Sequence, residues 1–90
     1  MTVKVYLPTV LVRLTGVRVL EAEGRTVGEA IAEAIACHPQ LAPRLRSEDG
    51  QPYPFVTYYL NDDDIRFLGG FDAPVQDGDE LTVVPAIAGG

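Results

Sequence analysis

The sequence closes on Pro85-Ala86-Ile87-Ala88-Gly89-Gly90, and the reactive group there is a main-chain carboxylate. Gly89 and Gly90 have no Cβ. Such an end can enter a narrow channel, adopt backbone angles closed to other residues and leave its last carbonyl open to attack from either side. A side chain at Gly90 would crowd the reacting carbon. The side chains of residues 86–90 carry no charge and have no evident packing purpose beyond a final strand. The expectation is a domain over residues 1–85 and a flexible tail over 86–90 that presents the Gly90 carboxyl group. Ala86, Ile87, Ala88 and Gly89 are then the segment a capturing protein would grip, with Ile87 the only large anchor. Ordering such a tail costs about 1–2 kcal/mol per residue, or about 5–10 kcal/mol in all, so contacts with the folded domain must share in its capture.

Other residue types that can do chemistry occur in weaker arrangements. Asp62, Asp63 and Asp64 are consecutive, but neighbouring side chains in a turn diverge, and no further ligand joins them at metal-binding spacing. They read as a solvated turn, and no metal is expected. Cys37 precedes His38, yet adjacent helical residues point about 100° apart, which argues against a thiol–base pair and for a partly buried cysteine. The internal Gly69-Gly70 has no free carboxylate and reads as a turn. Phe67, Leu68 and Phe71 around it either close the bottom of the core or form a docking patch for partner proteins, and the sequence leaves both open.

Composition restricts the partners. Thirteen acidic residues against seven basic ones give a net charge of −6, the wrong sign for nucleic acid and the right one for proteins with basic surfaces. No apolar run is long enough to span a bilayer, and the first residues lack the pattern of a secretion signal, so no membrane partner and a cytoplasmic location are expected. Cys37 is the only cysteine, which excludes an intrachain disulfide. Six of the seven bases are Arg, leaving Lys4 as the sole side-chain amine able to accept a conjugate.

The elements that must position the tail follow from periodicity. Val3, Val5 and Leu7 alternate with Thr2, Lys4 and Tyr6, as in a half-buried strand. The pattern loosens through Val10, Leu11 and Leu14, turns at Thr15-Gly16 and resumes at 17–22, which predicts a hairpin. Thr26 and Glu29 form a capping box ahead of the stripe Val27, Ala30, Ile31, Ala34 and Ile35, and Pro39 ends that helix near His38. Leu41 and Leu45 suggest a short helical turn before a mobile polar loop over 47–52. Phe55 to Leu60 is aromatic and β-branched, a third strand; Ile65 to Leu68 reads as a shorter extended piece. Leu81 to Pro85 is apolar enough to be central and therefore to lie parallel beside the first strand. The fold class is α+β, a β-grasp (ubiquitin-like) arrangement with a mixed sheet of four to five strands packed on one main helix.

A β-grasp pattern ending in a strand, a proline, small residues and Gly-Gly resembles the ubiquitin-like sulfur-carrier family, which includes the small subunit of molybdopterin synthase and the thiamine sulfur carrier. Residues 61–70, Asp77-Gly78-Asp79 and 84–90 most resemble the actinobacterial carriers of cysteine biosynthesis, with Leu7-Pro8-Thr9 as a further local likeness. The resemblance implies a protein that is not an enzyme but the co-substrate of one. An adenylating sulfurtransferase would convert the Gly90 carboxylate to an acyl-adenylate and then to a thiocarboxylate. A pyridoxal-phosphate-dependent cysteine synthase, or another sulfur-accepting enzyme, would then receive the sulfur. ATP and pyridoxal phosphate (PLP) belong to those partners, and this chain is expected to bind no cofactor. Delivery to molybdopterin or a thiosugar, isopeptide modification of proteins through Gly90, and a plain interaction module with an idle tail are the alternatives.

Overall fold

Residues 1–45 and 56–85 are described by the computed structural model, apart from the side chains of Arg44 and Pro85. Strand β1 (Thr2–Tyr6) is followed by helix α1 (Thr9–Thr15), strand β2 (Val19–Glu23), helix α2 (Val27–Cys37), a 3₁₀ turn at Pro39–Leu41 and helix α3 (Ala42–Leu45). Strands β3 (Val56–Leu60), β4 (Asp63–Asp64) and β5 (Glu80–Pro85) complete the chain, with 3₁₀ turns at Ile65–Phe67 and Gly70–Asp72 between the last two. The sheet order is β2-β1-β5-β3-β4, with β1 and β5 parallel and every other pair antiparallel. This is the expected β-grasp, with the last strand at the centre.

The alternation in β1 puts Val3, Val5 and Leu7 in the core, where Leu81 and Val83 of β5 and Tyr58 and Leu60 of β3 join them. Helix α2 covers this face with the stripe its spacing predicts: Val27, Ala30, Ile31, Ala34 and Ile35 are all buried. Thr26 Oγ1 accepts from the Glu29 N–H at 3.1 Å, and Glu29 Oε1 accepts in return from the N–H of Arg25 at 2.9 Å, one residue further back than in the usual capping box. A Cβ on Gly24 would lie 2.8 Å from the Ala30 nitrogen and 2.9 Å from Glu29 Cβ, so the absent side chain is what lets β2 turn tightly into α2. Inside the core the Tyr58 hydroxyl donates to the Leu45 carbonyl, and the Tyr58 ring meets Phe71 edge-on at 5.5 Å.

Three local expectations change. The link between β1 and β2 is helix α1 rather than a direct hairpin turn, although the two strands do pair antiparallel. Pro8 caps this helix, its only fully buried residue is Leu11, and Gly16 ends it with a left-handed backbone at φ 79° and an N–H donated to Val12 at 2.7 Å. Its β-branched residues and single inward anchor disguise the helical period. The fourth strand is Asp63–Asp64, placed in the turn by sequence, and Ile65–Phe67, expected to be extended, winds into a 3₁₀ turn because Asp64 caps it by accepting from the Arg66 N–H at 2.9 Å. Cys37 is exposed, since it ends α2 off the buried stripe. Gly69 and Gly70 form the expected turn, with φ of 110° and 66°. The loop over 47–52 and Phe55 lie outside the described residues.

Two substitutions test this packing. Tyr58→Phe removes the buried hydroxyl facing Leu45 and is expected to lower unfolding free energy by about 1–2 kcal/mol in denaturant titration. Gly24→Ala forces its Cβ against α2 backbone and is expected to cost about 1–3 kcal/mol by the same measurement.

Candidate functional site

The tail leaves the domain from the strand that the fold holds most firmly. Val56 of β3 stands opposite Pro85 on one side of β5, and on the other side β1 pairs with its first half, Tyr6 opposite Thr82. Ala86, Ile87, Ala88, Gly89 and Gly90 lie outside the described residues. What the fold decides is where they start. Because β1 and β5 run parallel, the end of β5 lies at the same pole as the end of β1, and helix α1 and the first residue of β2 are there with it.

The opposite pole is a polar latch. Asp77 Oδ1 accepts from the Thr2 N–H at 2.9 Å, the Gly78 N–H donates to the Thr2 carbonyl at 2.9 Å, and the Lys4 N–H donates to the Asp79 carbonyl at 3.0 Å. Asn61, the only non-glycine with positive φ among the described residues (57°), donates its N–H to the Glu80 carbonyl and accepts from the Glu80 N–H on Oδ1 at 3.1 Å. The acids of the Asp77-Gly78-Asp79 motif therefore secure the starts of β1 and β5, and carry no chemistry of their own.

On the sheet face away from α2, Thr2, Lys4 and Tyr6 of β1 lie beside Glu80, Thr82 and Val84 of β5. The Tyr6 hydroxyl donates to Glu80 Oε2 at 3.0 Å, which raises the phenol above its ordinary pKa. Lys4, the single lysine, is exposed on this face with Glu21 and Glu80 opposite it on the neighbouring strands.

The choice between core and patch for the aromatic cluster divides by residue. Phe71 packs inward on Tyr58, whereas Phe67 is 84% exposed and Leu68 is also exposed. Both follow β4, the outermost strand, which pairs with Tyr59 and Leu60. They therefore stand at the sheet edge, two strands from β5. Asp64 in the same segment is held below the usual carboxylate range by Arg66, whose Nη2 donates to Oδ2 at 2.7 Å. Among the described residues no group of His, Cys, Asp and Glu could hold a metal ion, and no helix is long and apolar enough to cross a membrane.

Sequence reading missed the exposed apolar side chains Val10, Leu14, Val19 and Val84. The signal was available in part, since Val10 and Leu14 are four residues apart on one helical face. It becomes visible only once residues 9–15 are known to be helical.

Comparison with known proteins agrees over the full chain. Residues 5–90 match the ThiS family model. A sulfur carrier protein, CysO, of Mycobacterium tuberculosis is 40% identical over 93 residues that cover all of both chains. A chain in the crystal structure of the Amycolatopsis orientalis BexX/CysO complex superposes with a TM-score of 0.89 at 44% identity, covering 98% of this chain and 99% of that one. Small archaeal modifier protein 3 of Haloferax volcanii is 37% identical over 65 residues, 72% of this chain and 70% of its own. With the β-grasp core, the central last strand and the matched tail sequence, these likenesses place the chain in the ThiS family of ubiquitin-like sulfur carriers.

Proposed function

We propose that the Gly90 carboxylate is the sulfur-carrying group and that the sulfur goes to cysteine through a PLP-dependent cysteine synthase. The observation that carries this reading is the match across residues 5–90, which includes Gly89-Gly90, joined to a fold whose central strand runs straight into that segment. The full-length likeness to actinobacterial CysO proteins favours the cysteine route over delivery to molybdopterin or a thiosugar.

A carboxylate is a poor electrophile, so activation must come first. A carboxylate oxygen of Gly90 attacks the α-phosphorus of ATP on an adenylating enzyme, and pyrophosphate leaves. A sulfide-level donor then attacks the carbonyl carbon, and AMP departs to leave a thiocarboxylate. Carboxylate and triphosphate repel, so the partner supplies the offsetting cations. The thiocarboxylate sulfur is then a nucleophile toward an electrophilic carbon held by the synthase, whose PLP makes that carbon electrophilic, and water afterwards cleaves the acyl link between Gly90 and the product, which frees the product and restores the carboxylate. In this reading Ala86, Ile87, Ala88 and Gly89 thread the partner's channel, and Phe67 and Leu68 supply a docking contact at the sheet edge. The part played by this chain is recognition and presentation.

The second reading, a protein modifier, is favoured by the likeness to the Haloferax modifier protein and would appear as slower-migrating, Gly90-dependent adducts in cells.

Two measurements test the carrier. Incubation with ATP, sulfide and an adenylating enzyme is expected to exchange one oxygen for sulfur in the intact mass, with no exchange in a chain lacking Gly90; an unchanged mass with each candidate enzyme would falsify the proposal. Extension of the chain past Gly90 is expected to abolish that exchange while leaving thermal unfolding unchanged, because the buried core among the described residues ends at Val83.

A further inference from the structure

Helix α1 has two apolar faces and only one of them is used by the fold. Leu11 is buried, Val12 and Thr15 are partly so, and Gln40 Nε2 donates to the Leu14 carbonyl at 3.0 Å to tie the helix to the turn after α2. On the other side Val10 is 49% exposed and Leu14 is 40% exposed, one turn apart, with exposed Arg13 between them and exposed Arg18 just beyond the helix. Val19 and Val84 are exposed at the same pole. Four of the seven large apolar side chains exposed among the described residues thus gather where β5 ends.

The position of this surface follows from strand direction. The parallel register of β1 on β5 carries α1 to the end from which residues 86–90 continue. Five residues at about 3.3–3.6 Å each reach at most ~18 Å, so an active site that takes Gly90 lies within that distance of Pro85. The mouth of its channel must then rest on the residues around the end of β5. Phe67 and Leu68 follow β4, two strands away from β5 across the sheet.

Charge selects among the enzymes that could sit there. Among the described residues the charged side chains of this pole are Arg13 and Arg18, while Glu23, Asp62, Asp77 and Asp79 lie at the far end of the strands. A protein of net charge −6 that must bring a carboxylate to a triphosphate meets least repulsion when its acidic end points away. At physiological salt, charges further apart than about 8 Å are largely screened, so the acidic pole acts during encounter and Arg13 and Arg18 act at contact.

Resting on the carrier reading above, we propose that the outer face of α1, Val10 and Leu14 flanked by Arg13 and Arg18, is the docking surface for the adenylating enzyme. That enzyme presents an apolar patch rimmed by carboxylates beside its tail channel. The pair of apolar side chains supplies the contact area that a short tail with one large residue cannot, and the arginines orient it.

The test uses the full chain and an adenylating enzyme that thiocarboxylates the wild type. Val10→Ser/Leu14→Ser and Arg13→Glu/Arg18→Glu are compared with Glu33→Gln, on exposed α2 surface, by steady-state kinetics, with circular dichroism to confirm the fold. Each double variant is expected to raise KM for the carrier at least tenfold with kcat changed less than twofold, and the arginine variant to flatten the salt dependence of kcat/KM. Unchanged KM in both doubles overturns the docking surface while the carrier reading stands, since the wild type is still converted. Normal adenylation with loss only of sulfur delivery to a synthase assigns the surface to the accepting enzyme and overturns the proposal. Dimers of the wild type in sedimentation that Val10→Ser/Leu14→Ser disperses, with KM unchanged, assign it to a second copy and do the same. Should the serine variant unfold, Arg13→Glu alone, at an exposed position, decides by its KM.

Discussion

The parallel pairing of β1 with β5 is the constraint on which the other features rest. Two strands so far apart in sequence can share one direction only if the chain between them crosses over, and here α2 makes the main crossing while its apolar stripe seals the sheet. The pairing sets Val5 beside Leu81, both fully buried, and fixes which side of every strand faces the core. It also determines that the last strand is central, held by β1 on one side and β3 on the other, so that residues 86–90 start from an anchored point.

The two ends of this strand pair are built for opposite purposes. At the end where β1 and β5 begin, Thr2, Asn61, Asp77, Asp79 and Glu80 satisfy one another through backbone and side-chain hydrogen bonds. These bonds pin the register against slippage in a domain whose small core leaves little stability to spare. At the end where β5 finishes, the described surface is apolar and basic. Among the described residues the acids Glu23, Asp62, Asp77 and Asp79 lie at the other end.

A carrier of this kind divides its labour between a rigid body and a short segment. In the proposed role the segment reacts, yet it has one large side chain and two glycines and must lose about 5–10 kcal/mol of backbone entropy when ordered. Recognition therefore has to come from the body. On the proposal above, exposed side chains at α1 and at the sheet edge supply it without entering the reacting centre, so that one tail can serve an activating enzyme and an accepting one in turn.

Much of this was legible in the residues themselves. Strict alternation in β1, the capping pair Thr26 and Glu29, the five-residue stripe of α2 and the apolar density of β5 act over a few neighbouring positions, and the sequence by itself determined them together with the Gly-Gly end and the net charge. Elements with a single anchor were decided only by tertiary packing. Residues 9–15 become a helix because Leu11 finds the core and Gly16 can adopt a left-handed turn, and residues 65–67 coil because Asp64 caps them. Exposure at Phe67 and burial at Phe71 were equally a tertiary outcome, since two aromatic residues four apart look alike until Tyr58 is placed against one of them. The position of α1 beside the start of the tail belongs to the same class. It depends on the direction of two strands separated by most of the chain, which no local pattern encodes.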